Sequence, residues 1–116
     1  MPPRQVWMFQ FGCWAAVATA VMHVGVALAA RAASAGDSAL HLVFAVCFST
    51  VGAVGLAVTK RGQGDPLLMY AVARCAAIAS VTLLVLALAY FSVVPGMFIA
   101  AVTTCFAVAA VKAPGI

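Results

Sequence analysis

The sequence contains no glutamate, and its only acidic residues are Asp37 and Asp65, set against six basic ones. Neither acid falls within a long apolar run, so there is no carboxylate pair for general acid–base work. The intramembrane carboxylate that small proton-coupled exporters use is missing too, which argues against a proton-driven pump. Charged residues make up 7% of the 116 and hydrophobic ones 67%, with a mean hydropathy of +1.21. That leaves too little polar surface to keep a compact globule dissolved, and an integral membrane protein is expected. Also lacking is any C-x-x-C pair. Cys13, Cys47, Cys75 and Cys105 are distributed one per apolar segment, a spacing that suits small apolar packing residues better than redox or metal chemistry.

What the chain has in abundance is length of apolar sequence. A spanning helix needs about 20 mostly apolar residues, and four such runs are present, about Trp7 to Ala30, Ala39 to Thr59, Leu67 to Tyr90 and Pro95 to Val111. They consume nearly the whole sequence, so one domain over residues 1–116 is expected, without a soluble part. The first run follows Arg4 as a secretory signal would, but it exceeds the usual apolar core of about 7–15 residues. The fold class read from this pattern is all-α, an integral membrane antiparallel four-helix bundle.

Turn chemistry marks the same boundaries. Ala33-Ser34-Ala35-Gly36-Asp37-Ser38 ends in residues suited to cap a second helix. In Lys60-Arg61-Gly62-Gln63-Gly64-Asp65-Pro66, Asp65 suits the N-cap of a third helix and Pro66 its first position, where a missing N–H costs nothing. Val94-Pro95-Gly96 is the third break, with helix disfavoured at Val94 and able to begin at Pro95.

Arg4, Lys60, Arg61 and Lys112 flank the ends that must share one side in a four-span protein, and only Arg31 lies opposite. The positive-inside rule therefore places both termini and the middle connection in the cytoplasm. The net charge of +4 has this origin. No basic face is interleaved with aromatics on which a strand could stack, so nucleic-acid binding is not expected. Trp7, Phe9, Phe11 and Trp14 cluster near the entry of helix one and Tyr90 and Phe91 close helix three, so Trp7, Trp14 and Tyr90 read as interfacial anchors.

Helices associate in lipid through stripes of small residues that let backbones approach. Gly12, Ala16 and Ala20 form one stripe, continued by His23 and Ala27; His41, Ala45, Phe48, Gly52 and Gly55 form another, and Ala73, Ala77 and Ser80 a third. An offset of 61 lays Ala15-Ala16-Val17-Ala18-Thr19 over Ala76-Ala77-Ile78-Ala79-Ser80, an echo that alanine-rich helices also give by chance and that, if a duplication, would be a parallel one.

Polar groups within such runs are expensive and each requires a reason. His23 lies about 24 Å along helix one and His41 within about 3 Å of the outer end of helix two at 1.5 Å per residue. The two imidazoles are placed to meet across the first hairpin as a hydrogen-bonded pair, as metal or haem b ligands, or as a polar patch for a quinone. The plainer alternative puts His41 in water and His23 on a neighbouring carbonyl. Zinc requires three or four ligands, and Asp37 is the acid on that side. Arg74, about 10 Å into helix three, either snorkels to the cytoplasmic head groups or faces the bundle to bind an anionic head group or partner. Ser49, Ser80, Thr19, Thr50, Thr82, Thr103 and Thr104 are helix-interior hydroxyls able to bond their own backbone, so no catalytic residues are assigned.

With a histidine in the outer half of helix one, His23, and the passage Tyr90-Phe91-Ser92-Val93-Val94-Pro95 leading to Thr104-Cys105-Phe106-Ala107, the chain resembles small bacterial four-span membrane proteins of unassigned function. The resemblance implies the four-helix fold and no activity. The expected role is an accessory or assembly subunit of a membrane complex, or a hydrophobic-ligand binder, with the bilayer and a membrane protein or a second copy as partners. The alternatives are an electron-transfer subunit with haem or quinone between His23 and His41, and a small channel or carrier with Gln10, Arg74 and His23 along its track.

Overall fold

A computed structural model describes residues 3–30, 35–62, 65–90 and 93–111, with side chains omitted at 30, 35–38, 62 and 93–95. It is an all-α four-helix bundle: α1 (Pro3–Ala30), α2 (Ala35–Gly62), α3 (Pro66–Tyr90) and α4 (Val93–Ala110). Three segments, Pro3–Ala29, Ala39–Arg61 and Pro66–Tyr90, are long and apolar enough to cross a membrane, and Gly96–Ala110 is a shorter apolar helix.

The helix ends show where local chemistry acts. The Asp65 Oδ1 accepts from the Leu68 backbone N–H at 3.1 Å, and Pro66 opens α3, as the capping rules require. Two other starts lie earlier than turn chemistry suggests. Ala35 already belongs to α2, which puts Asp37 and Ser38 inside the helix rather than at its cap, because alanine is the best helix former and each added residue gains a backbone bond. Likewise α4 begins at Val93, so Pro95 is its third residue, still among the first four positions whose N–H groups have no intrahelical partner. Arg31, Phe91, Ser92 and Lys112, invoked above for topology and resemblance, lie outside the described residues.

Each helix buries one narrow stripe. On α1 it runs through Phe9, Cys13, Ala16, Ala20, His23 and Ala27, with Gly12 and Thr19 buried beside it; on α3 it runs through Met69, Ala73, Ala76, Ser80, Leu83 and Ala87, with Tyr70 buried beside it. Steps of alternately four and three residues define the seam of a left-handed bundle. Phe9 thus belongs to the core and not to the aromatic rim, while Trp7 and Trp14 are exposed, with Trp7 stacked on Phe11 at 5.6 Å. The stripes of α1 and α3 match residue for residue from Phe9 with Met69 to Ala27 with Ala87. Common packing spacing gives that match without any duplication.

Neighbouring helices run antiparallel. On α2, a Cβ at Gly52 would stand 2.7 Å from the Cys13 carbonyl oxygen, and one at Gly55 would meet Cys13 Sγ and, at 3.1 Å, Phe9. Further along, His41 meets His23. The α1–α2 hairpin therefore closes over two glycines, Gly52 against the α1 backbone and Gly55 against the Cys13 and Phe9 side chains. α4 joins α1 through Phe106, packed on Phe9 with ring centroids 5.7 Å apart and lying 3.0 Å from the position of a Gly12 Cβ. α3 and α4 form the second close hairpin, and of the four neighbouring pairs α2 and α3 touch least. Val51, Val54 and Val72 stand in that seam, beside Gly55.

Candidate functional site

Two polar nodes lie at opposite ends of the bundle. In the first, His23 and His41 are buried, 4% and 9% exposed, and their Nδ1 atoms are 2.8 Å apart. α2 starts at Ala35 and carries His41 about 9 Å in from the helix end, while its apolar span begins at Ala39, two residues before the histidine. The His23 ring lies 5.1 Å from that of His41, 5.5 Å from Phe44 and 6.3 Å from Phe48, nearly parallel to the last at 6°. Phe44 and Phe48 are themselves fully buried, so apolar rings enclose the pair.

This geometry displays one of the chemical roles open to the pair, the hydrogen bond. A hydrogen bond between two Nδ1 atoms requires one to donate and the other to accept, so the rings hold different tautomers or share one added proton. As they stand, 2.8 Å apart, the two Nδ1 atoms bond each other; two nitrogens on one tetrahedral metal would stand roughly 3.3 Å apart, so a shared ion would require the rings to part by about half an ångström. No group of three or more His, Cys, Asp or Glu side chains able to hold a metal occurs among the described residues. The side chain of Asp37 lies outside them.

The second node caps α4. Gln5 Nε2 donates to the Val108 carbonyl at 3.2 Å and to that of Val111, while the Tyr70 hydroxyl donates to Gln5 Oε1 at 2.9 Å. Arg74 Nε donates to the Ala110 carbonyl at 3.4 Å. A helix leaves its last carbonyls unsatisfied and its C-terminus partly negative, and here α1 and α3 supply the donors and a cation. Arg74 is exposed and turned to this end. It lies at the end of the bundle opposite to His23. Gln5 and Tyr70 carry no local signal for this role, because they are 65 residues apart in sequence. Tyr70→Phe is expected to loosen the last turn of α4, with amide exchange there about fivefold faster, the equivalent of one hydrogen bond of about 1 kcal/mol. Unchanged exchange by mass spectrometry would show the cap to be dispensable.

The described threonines are spent locally. Thr19, Thr50, Thr59, Thr82, Thr103 and Thr104 each donate to the carbonyl four residues back, at 2.8 to 3.0 Å. Ser80 Oγ, fully buried, has no partner. Cys13 and Cys105 are buried, Cys47 half-buried and Cys75 exposed, all as free thiols. Fold and site together define a small helical bundle with three helices long and apolar enough to cross a membrane, closed by an internal imidazole pair. Comparison with family models, curated proteins and solved structures gives no match.

Proposed function

We propose that the protein is a four-span integral membrane protein with both termini and the middle connection on the cytoplasmic side. It acts by binding, as an accessory or assembly subunit of a membrane complex or as a hydrophobic-ligand binder, rather than as a stand-alone catalyst. One observation carries this reading: among the described residues the two histidines bond each other and the threonine hydroxyls bond their own helix backbone, while many large apolar side chains face out. Trp14, Val21 and Leu28 on α1, Val46 on α2, and Ile78 and Val85 on α3 are exposed, a wall suited to lipid or to an apolar partner. As the fourth span, α4 runs about 27 Å at 1.5 Å per residue, a little less than the ~30 Å hydrocarbon core. The capping of its carbonyls by Gln5 and Arg74 supports a slightly short crossing.

Gentle purification followed by mass spectrometry of what accompanies the protein tests the reading. A stoichiometric membrane protein or a retained lipid is expected. Turnover of a lipid or quinone by the purified protein alone would refute it.

A further inference from the structure

Among the described residues the seam between α2 and α3 is left open, and it is organised along its length. Toward the middle of both helices lies a cleft of about 240 Å³ walled by Thr50, Val54, Gly55, Val72, Cys75 and Ala79. The Thr50 hydroxyl is bonded to the Val46 carbonyl, so the wall presents almost only carbon to an occupant. One turn nearer the α2–α3 connection, a second hollow of about 260 Å³ is walled by Ala57, Val58, Arg61 and Leu68. The two follow one another along the same pair of helices, apolar first and basic at the mouth. Lys60 stands exposed beside Arg61 in the last turn of α2.

The geometry points to a binding site for an anionic phospholipid of the cytoplasmic leaflet, with one acyl chain in the α2–α3 cleft and the phosphate at Arg61 and Lys60. This rests on the membrane-spanning reading above and gives its hydrophobic ligand a chemical class.

Length and charge both favour this occupant. From Thr50 to Arg61 is about 16 Å along the helix, close to half of a ~30 Å hydrocarbon core and so the depth of one leaflet. Thr50 is the middle residue of the span Ala39–Arg61; the cleft therefore reaches from the basic boundary to the bilayer centre, as an acyl chain does. A basic pocket between helices at the cytoplasmic surface is the arrangement that recognises anionic head groups. The nearby acid, Asp65, accepts from the Leu68 N–H and caps α3, so the head-group contacts fall to the two cations and not to the helix N-terminus. Arg74 is committed to the Ala110 carbonyl on α4 and takes no part.

The test uses the full chain in mild detergent, supplied with equimolar phosphatidylglycerol and phosphatidylcholine, with native mass spectrometry reading the retained lipid. The wild type is expected to hold phosphatidylglycerol about thirtyfold over phosphatidylcholine, the order expected from two cations at a membrane surface. Lys60→Gln with Arg61→Gln should abolish that preference and leave helix content unchanged. Ala79→Phe, which fills the cleft without touching the cations, should lower retention of both lipids. Equal retention by the wild type, or a preference that survives loss of both cations, overturns the lipid site. Extraction of the expressed chain from membranes by alkaline carbonate would instead overturn the membrane reading, so the two failures are distinguishable.

Discussion

Gly52→Leu is expected to cost the bundle about 3 kcal/mol, the upper end of what overpacking usually costs. Even the Cβ of an alanine at this position would stand 2.7 Å from the Cys13 carbonyl oxygen and 2.7 Å from Val17 Cγ2. The first of these is backbone and cannot rotate away, so α1 and α2 must separate. Separation would also weaken the contacts on either side of the glycine, those of Gly55 with Phe9 and Cys13 and those of His41 with His23. The same change at Gly25 supplies the control, since a Cβ there meets nothing within 4 Å. Gly25→Leu should be neutral or slightly stabilising, as leucine is a better helix former than glycine. Unfolding titrations in mixed micelles, followed by circular dichroism, read both. Equal stability of Gly52→Leu and the wild type would show that the α1–α2 seam is not closed as described.

The second large effect is expected at the imidazole pair. His23→Leu and His41→Leu each remove one end of a buried hydrogen bond, and the double variant removes both. A double-mutant cycle should return a coupling of about 1–2 kcal/mol, at the high end for side-chain bonds inside membrane proteins because the pair is shielded by Phe44 and Phe48. The double variant should recover much of what either single variant loses, since it leaves no imidazole behind in an apolar setting. Nitrogen NMR of the labelled wild type gives an independent reading: one ring protonated at Nδ1 and its partner accepting there. Zero coupling, or two rings with the same tautomer, would show that the Nδ1 atoms do not bond each other.

Much of this fold is written locally. The four apolar runs, the stop at Lys60-Arg61, and Asp65 with Pro66 at the head of α3 are consequences of a few neighbouring residues each. Heptad-like spacing of small residues likewise places His23 and His41 on inward faces. Ala35 and Val93 show where local signals fall short, because a helix extends past a residue that could cap it when the next residue costs little to add. Phe9 shows a different limit. An aromatic near a membrane boundary fits the rim and the core equally well until a partner, here Phe106, is known.

By itself the sequence determined how many helices form, how apolar they are, and which face of α1, α2 and α3 turns inward, since these depend on periodicity within one segment. Only the tertiary structure decided which seams close. Glycines at positions 52 and 55 draw α2 onto α1, which brings His23 and His41 within hydrogen-bond reach, while valines at 51, 54 and 72 stand between α2 and α3. The Gln5–Tyr70 cap and the open cleft have the same origin. Each depends on groups far apart in the chain, and their distance is fixed by how closely two backbones can approach.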